Sequence, residues 1–258
     1  MDNSKLTETI FARNTEEYIT SSTHANEKDL KTIIEWLKPA SNMVCLDIAT
    51  GGGHVAKQLA MHTKHVIALD VTREMLFAAA KHLEDQSNIL YCVADAEQLP
   101  FLDSQFDIVT CRIAAHHFSN PNQFILEVAR VLKPNGKFLL IDNVAPEDTK
   151  LDIFYNTFEK IRDKSHVKAH NVSKWRGFIQ QNKLQIHKEH TRKKTLPYNE
   201  WIARAGLAED VKKKLEDYLL AAPAAYRSYF QIQMKNNSID SISIDEWMTL
   251  CIKENPDS

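Results

Sequence analysis

The chain is poor in glycine, and half of its glycines are adjacent. Only 6 of its 258 residues are glycine, whereas average usage would give roughly three times as many. Gly51, Gly52 and Gly53 form one tripeptide. Because glycine adopts positive φ angles without steric cost, this cluster predicts a tight turn at which a ligand can approach the backbone.

Other shortages exclude whole classes of protein. The apolar runs are too short to cross a bilayer and the first residues, MDNSKLTETIFARN, hold no apolar signal core, so we expect a cytoplasmic protein without membrane insertion. A net charge of −2 shows no excess of basic residues, so we expect no nucleic-acid partner. The four cysteines form no C-x-x-C pair and the histidines no H-E-x-x-H, which predicts free thiols and no metal site.

Short apolar segments alternate with helical patterns along the chain. The strands predicted by apolar runs are 43–49, 65–70, 88–95, 106–112, 137–143, 184–194 and 246–254. Predicted helices follow the first, second and fourth strands, at 54–62, 72–83 and 121–132, and a turn is predicted at 133–136. Strand–helix–strand units at this spacing form parallel sheets. The sequence therefore predicts an α/β fold, Rossmann-like and doubly wound, with a mostly parallel seven-stranded sheet and helices on both faces.

We expect one structural domain made of three parts. Residues 1–40 form an N-terminal helical lid, because 5–38 has a helical pattern that ends at Pro39. Residues 41–145 form the cofactor-binding core. Residues 146–258 complete the sheet and carry a helical substrate-cap insertion, for which helical patterns occur at 151–164, 173–182 and 198–222.

Acidic residues end three successive predicted strands. Asp47 immediately precedes the glycine loop, Asp70 ends the second strand and Asp95 follows the third. Because the carboxyl ends of parallel strands lie at one edge of a sheet, we expect the three carboxylates to surround one ligand. The alternative is that each acid only caps a local turn or helix.

Two ligand classes fit such a loop. The spacing Gly51-x-Gly53-x-x-Ala56 matches the dinucleotide fingerprint, so an NAD-dependent oxidoreductase remains an alternative. Asp47, however, would repel a pyrophosphate and suits a ligand that carries positive charge. S-adenosylmethionine has an ammonium and a sulfonium group, and its ribose offers two hydroxyls to an acceptor such as Asp70.

Four segments resemble the class I S-adenosylmethionine-dependent methyltransferases, and in particular the type-11 domain of the ubiquinone/menaquinone-biosynthesis group. They are LDIATGGGH, ALDVTREML, VADAEQLPFLDSQFDIVTCR and RVLKPNGKFLL, and the resemblance covers roughly 43–143. Flanking segments at 16–25 and 161–175 resemble a bacterial subset of small-molecule methyltransferases. One position departs from the pattern: Ala49 stands where the family usually has glycine.

The resemblance implies roles for individual residues. It places the methionine part of the cofactor at the first strand and loop, ribose and adenine at the second and third strands, and the sulfonium after the fourth. The implied cofactor-binding residues are Asp47, Ala49, Gly51, Gly53, Asp70, Val71, Met75, Asp95, Ala96, Arg112 and Ile113. The apolar members of this set are equally compatible with a plain core role.

Two histidines follow the fourth strand and are candidate general bases. His116 and His117 would lie beside the methyl donor, where a base helps if the acceptor must lose a proton. The alternative is that they only bind loop backbone. The candidate substrate or lid residues are Tyr18, His24, Arg162 and His166. Residues 111–118 lack the Asp/Asn-Pro-Pro-aromatic and Pro-Cys sequences that enzymes methylating nucleic acids resemble one another in, so we expect a small organic acceptor. A relative that binds the cofactor without catalysis is a further alternative.

Overall fold

The computed structural model of the chain describes residues 26–255. Its helices are α1 (Glu27–Leu37), α2 (His54–Ala60), α3 (Arg73–His82), α4 (Pro121–Val131), α5 (Thr149–Arg162), α6 (Val172–Gln181), α7 (Tyr198–Ala203), α8 (Glu209–Leu220) and α9 (Ala224–Tyr229), with a 3-10 turn at Ala115–His117. Its strands are β1 (Val44–Ile48), β2 (His65–Asp70), β3 (Ile89–Val93), β4 (Phe106–Arg112), β5 (Leu132–Val144), β6 (Leu184–Pro197), β7 (Gln233–Lys235) and β8 (Ser238–Lys253).

The strands form one sheet in the order β3-β2-β1-β4-β5-β8-β6, with the short β7 paired to β8. Strands β1 to β5 pair in parallel, whereas β8 runs antiparallel to both β5 and β6. The order reverses at β1, which is the point where doubly wound sheets open a crevice. The predicted Rossmann-like, mostly parallel sheet is therefore confirmed, and β7 is an eighth strand that the sequence pattern missed.

Helices cover both faces of the sheet, which explains why its strands are continuous apolar runs. Successive residues of β1 pack against helices on different faces of the sheet. Cys45 packs with α1 and α2, whereas Leu46 packs with α4 and α6. Helix α1 buries Leu30 and Ile33 in the same layer as α2. The described part of the predicted N-terminal lid is thus a helix packed on the sheet.

The C-terminal helices form a third apolar cluster. Helices α5, α7, α8 and α9 pack together with the ends of β6 and β8 that extend beyond β5. Phe154 shows how closely the cluster is packed. Its ring stacks on that of Tyr218 with 5.0 Å between the ring centroids, and its centroid lies 5.6 Å from that of Phe230. Most of the aromatic side chains of this segment pack against one another in this cluster.

Several element boundaries differ from those predicted. Strand β5 begins at Leu132 because Phe106 pairs with it, and Asn135, at φ 61°, makes the predicted turn an irregularity within the strand. The single helix expected at 198–222 is interrupted near Gly206, which has a φ of 57°. Thr72 stands at the N-cap of α3, but its hydroxyl makes no capping hydrogen bond.

Two other sequence-based expectations concern the whole molecule. All four cysteines are free, and Cys45, Cys111 and Cys251 are buried, so the prediction of free thiols is confirmed. Of the helices between residues 26 and 255, none has the length and apolar character that crossing a membrane requires.

Candidate active site

A cavity opens at the carboxyl ends of β1 to β4. Ten of the eleven cofactor-binding residues expected from the sequence line it: Asp47, Ala49, Gly51, Asp70, Val71, Met75, Asp95, Ala96, Arg112 and Ile113. They come from four strands and the loops that follow them. The topology brings them together because β1 to β4 are parallel neighbours whose ends share one edge.

Gly53 is the eleventh residue, and it is not part of the cavity wall. It is the N-cap of α2, with a φ of 78°. A Cβ atom at this position would lie 2.5 Å from Cδ1 of Leu83, whose side chain is buried. Glycine is therefore required here by backbone conformation and by packing of the loop against the chain after α3.

The loop before α2 presents an open backbone to the cavity. Gly51 has a φ of 53°, and a Cβ atom there would meet nothing within 4 Å. Ala49 also adopts a positive φ, 52°, although it carries a side chain. Such a conformation costs a residue with a Cβ roughly 1–2 kcal/mol. The loop therefore carries backbone strain at Ala49.

Asp47 is a buried carboxylate held by two hydroxyls. Thr110 donates to its Oδ1 at 2.6 Å and Thr50 donates to its Oδ2 at 2.7 Å. Burial raises the pKa of Asp47 to about 6 even though both hydroxyls favour the ionised form. A positive charge that enters the cavity would therefore stabilise the ionised form of Asp47.

Asp70 connects the glycine loop to the start of α3. Its Oδ2 accepts from the Gly51 N–H at 3.0 Å and its Oδ1 accepts from the Thr72 N–H at 2.9 Å. Burial raises the pKa of Asp70, an effect that these backbone donors oppose. Asp95 is exposed and accepts from the Glu97 N–H at 2.8 Å. Asp70 and Asp95 therefore bind local backbone, as the alternative interpretation expected, and both also line the cavity together with Asp47.

Arg112 brings a buried positive charge to the cavity wall. Its Nη2 lies 3.8 Å from Oδ2 of Asp29 on α1. The Asp29 carboxylate also accepts hydrogen bonds from both terminal nitrogens of Arg192, each at 2.7 Å. The Glu246 carboxylate accepts hydrogen bonds from Arg192 and from Lys194. Burial lowers the pKa of Arg112, although Glu246 and Asp29 oppose that effect. This buried ion-pair cluster, made of Asp29, Arg112, Arg192, Lys194 and Glu246, joins α1 to β4, β6 and β8.

Ile113 lines the cavity in a strained conformation. Its φ of 54° is unusual for a β-branched residue, and its N–H donates to the Ile141 carbonyl at 2.7 Å. Strain of this kind persists where surrounding structure enforces it and is concentrated at functional sites. Sequence reasoning could not predict this conformation, because no glycine stands at position 113.

The two histidines after β4 have different surroundings. His117 lines the cavity, whereas His116 is buried behind it. Asp142 binds His116 twice, through the ring Nδ1 at 2.6 Å and the backbone N–H at 2.8 Å. Burial opposes protonation of His116, but Asp142 outweighs it and raises the pKa of this ring. We expected both histidines to lie beside the cavity. Only His117 of the two does so, and His116 is not part of the cavity wall.

Residues 162–168 contact His117 but are not part of the cavity wall. Oγ of Ser165 lies 3.1 Å from Nδ1 of His117. Arg162 contacts Glu159 at 2.8 Å, and the ring of His166 binds Oδ1 of Asn156 at 2.8 Å. The two candidate lid residues Arg162 and His166 are therefore outside the cavity wall. The other two candidates, Tyr18 and His24, lie outside the described residues.

Several residues of the site were missed by sequence reasoning. The cavity wall also includes Thr50, His54, Glu97, Phe118 and Ser119. Their positions next to the predicted residues along the chain were the available signal. Between residues 26 and 255 there is no group of three or more histidine, cysteine or acidic side chains arranged to hold a metal ion.

Comparison with known proteins gives one family. The sequence pattern of the family described as methyltransferase domain matches residues 46–140. YcgJ of Bacillus subtilis strain 168, named an uncharacterized methyltransferase, is 36% identical over 232 residues, which are 89% of this chain and 92% of YcgJ. The ubiquinone/menaquinone biosynthesis C-methyltransferase UbiE of Rickettsia typhi is 36% identical over 129 residues, 46% of this chain and 52% of UbiE. None of these relatives is named as an oxidoreductase.

Solved structures agree with the sequence matches. A crystal structure from Bacillus halodurans C-125, of a protein assigned to the methyltransferases, has a TM-score of 0.86 at 37% identity and covers 88% of this chain and 100% of that one. The crystal structure of YcgJ has a TM-score of 0.83 at 34% identity and covers 88% and 99% of the two chains. The resemblance inferred from the sequence is confirmed, and the chain belongs to the S-adenosylmethionine-dependent methyltransferases.

Proposed function

We propose that this protein binds S-adenosylmethionine in the cavity and transfers its methyl group to a small organic molecule. The observation that carries the proposal is the arrangement of the glycine loop and the strand-end acids around one cavity. Open space over Gly51 leaves room for a ligand to contact the backbone. The buried carboxylate of Asp47, whose pKa is raised to about 6, suits a ligand with a positive charge nearby.

The residues present fit each part of this cofactor. Asp47 and the backbone of 49–51 would hold the charged methionine end, and Asp70 would accept from the ribose hydroxyls. Asp95 and Ala96 would flank adenine. When bound, the cofactor supplies a methyl carbon already activated by a sulfonium. A fold neighbour at 18% identity, a phosphoethanolamine N-methyltransferase of Haemonchus contortus, was solved in complex with S-adenosylhomocysteine and has a TM-score of 0.61.

The protein contributes mainly alignment and exclusion of water to such a reaction. We place His117 next to the acceptor as the group that takes its proton, because, of the two histidines that follow β4, it is the one on the cavity wall. Burial and the neighbouring His116 lower the pKa of His117 to about 4. The ring is therefore neutral at physiological pH and available as a proton acceptor.

The surface charges support a small acceptor over a nucleic acid. A basic run lies at 188–194. Of its cations, Arg192 pairs with Asp29, Lys193 with Asp245 and Lys194 with Glu246. These charges are already neutralised within the protein and are not presented to phosphates. The free thiols suit a reducing compartment, so we also propose a cytoplasmic location.

The experiment that tests this function is methyl transfer from cofactor labelled on the methyl group into a pool of small metabolites. We expect labelled product with the wild-type protein and a loss of at least tenfold in rate with His117→Ala. Transfer that is equally fast in His117→Ala would remove this residue from catalysis. No transfer to any small molecule, together with transfer to RNA or protein, would contradict the proposed acceptor class.

A further inference from the structure

We propose that Asp163 and Ser165 are positioning residues that hold His117 as the tautomer protonated at Nδ1, so that Nε2 is the nitrogen that accepts the substrate proton. This inference rests on the proposed function of His117. The three side chains form a carboxylate–hydroxyl–imidazole relay, which we call the Asp163 relay. Its members come from the turn after β4 and from the loop after α5.

The direction of the hydrogen bonds follows from the distances. Oγ of Ser165 lies 2.5 Å from Oδ1 of Asp163, a separation typical of a hydroxyl that donates to a carboxylate. The single hydroxyl proton is thereby committed to Asp163. The contact of 3.1 Å between Oγ of Ser165 and Nδ1 of His117 must then use the oxygen as acceptor and the ring Nδ1–H as donor.

The same carboxylate stabilises the charge that proton transfer creates. Oδ2 of Asp163 lies 4.0 Å from Nε2 of His117, close enough for attraction once the ring is protonated. Burial would raise the pKa of Asp163, but His117, Arg162 and Ser165 outweigh it and hold this pKa well below its usual range. Asp163 is therefore ionised at neutral pH.

Backbone bonds hold the two halves of the relay together. The carbonyl of His116 accepts from the N–H groups of Val167 and Lys168 at 3.0 and 3.1 Å. The N–H of Ser165 also donates to Oδ1 of Asp163 at 2.8 Å. This explains why His116 is fixed by Asp142 although it is absent from the cavity wall: it anchors the loop that carries Ser165.

The proton and electron pairs balance in this arrangement. The acceptor loses its proton to Nε2 of His117, its freed electron pair forms the bond to the methyl carbon, and the pair of the broken carbon–sulfur bond stays on sulfur. The positive charge that leaves the sulfonium appears on the imidazole ring, 4.0 Å from Asp163. Loss of this proton to solvent after product release restores the neutral ring.

The test is the protonation pattern of the His117 ring, read by long-range ¹H–¹⁵N correlation on the full chain labelled in histidine, with His117→Ala to assign the signals. At pH 7.5 we expect the wild-type ring to carry its proton on Nδ1. Ser165→Ala should shift the ring toward the Nε2–H tautomer by at least half, and Ser165→Thr, which restores a hydroxyl, should return it. The control is Thr157→Ala, which removes a hydroxyl bonded only to backbone on α5 and should change nothing.

A wild-type ring protonated on Nε2 would overturn the relay, as would a Ser165→Ala ring that keeps the Nδ1 proton. The wild-type measurement needs no variant, so it decides the question even if Ser165→Ala fails to fold. Titration with S-adenosylhomocysteine is independent of the ring signals. Failure of that titration would contradict the proposed function, whereas an Nε2–H ring with normal titration would contradict the relay alone.

Discussion

The backbone N–H of Gly51 lies 3.0 Å from Oδ2 of Asp70, so the carboxylate that ends β2 holds the loop that follows β1. This bond links two of the features that the sequence singled out. It also means that Asp70 has a structural task in addition to any contact with a ligand. Experiments on the site must therefore separate loss of fold from loss of binding.

Replacement of Asp47 should separate the two effects. In Asp47→Asn the amide can still pair with the hydroxyls of Thr50 and Thr110, and a buried charge disappears. We expect the free energy of unfolding at pH 7.5 to be unchanged or higher, and the affinity for S-adenosylhomocysteine to fall by about tenfold or more through loss of attraction to the ammonium group. Chemical denaturation and calorimetry measure the two quantities, and a variant that binds as the wild type does would contradict this role.

The raised pKa of Asp47 also predicts a pH dependence of binding. In the free protein this pKa is about 6, and a bound cation lowers it because it favours the ionised form. Affinity for S-adenosylhomocysteine should therefore be full above pH 6 and should fall as the pH drops below 6, where binding must displace a proton. Calorimetry from pH 5 to 8 measures this. The same series with Asp47→Asn should lack that inflection, and an identical inflection in the variant would assign it to another group.

The two left-handed glycines of the loop should respond differently to alanine. Gly51→Ala puts a methyl group into open space beside the cavity, so we expect a loss of about 1 kcal/mol in stability from backbone strain and a clear loss of ligand affinity. Gly53→Ala adds a clash with Leu83 at 2.5 Å, and we expect it to lose about 2–4 kcal/mol in stability. Denaturation curves and calorimetry check both. Equal effects of the two variants on stability and on binding would contradict their separate roles.

The buried ion-pair cluster should matter more than surface pairs do. Glu246 is 4% exposed and binds Arg192 and Lys194. In Glu246→Gln the cations Arg112, Arg192 and Lys194 would lose the carboxylate whose charge attracts all three of them. We expect a loss of about 3–5 kcal/mol in the free energy of unfolding.

The matched control for this cluster is Glu209→Gln, which breaks the exposed pair with Lys212 and should cost less than about 1 kcal/mol. Urea denaturation of both variants gives the comparison. Similar losses in the two would show that the buried cluster contributes little.

Parallel-sheet geometry explains why much of the site could be predicted. Once β1, β2 and β3 are recognised as parallel neighbours, Asp47, Asp70 and Asp95 must meet at one edge. The Asp163 relay could not be predicted in this way, because it joins residues 48 positions apart through a loop placed by bonds to the His116 carbonyl.

Local backbone strain was also hidden from the sequence. Ala49 and Ile113 adopt positive φ angles, which a sequence predicts only where it has glycine. Their conformations depend on long-range partners, such as the Ile141 carbonyl that accepts from the Ile113 N–H. The packing of the C-terminal helices was also hidden, because an aromatic pattern does not distinguish a cap over the cavity from a separate core, although such residues more often belong to a core.

The central claim is that this cavity binds the methyl donor through its strand-end acids. The most direct measurement is calorimetric titration of the wild type, Asp70→Asn and Asp107→Asn with S-adenosylhomocysteine. Asp107 is a matched control, because it also accepts from a backbone N–H, that of Val44, but is not part of the cavity wall. We predict one site per chain in the wild type and in Asp107→Asn, and an affinity lower by about 5- to 150-fold in Asp70→Asn. No binding to the wild type, or equal loss in both variants, would contradict the account.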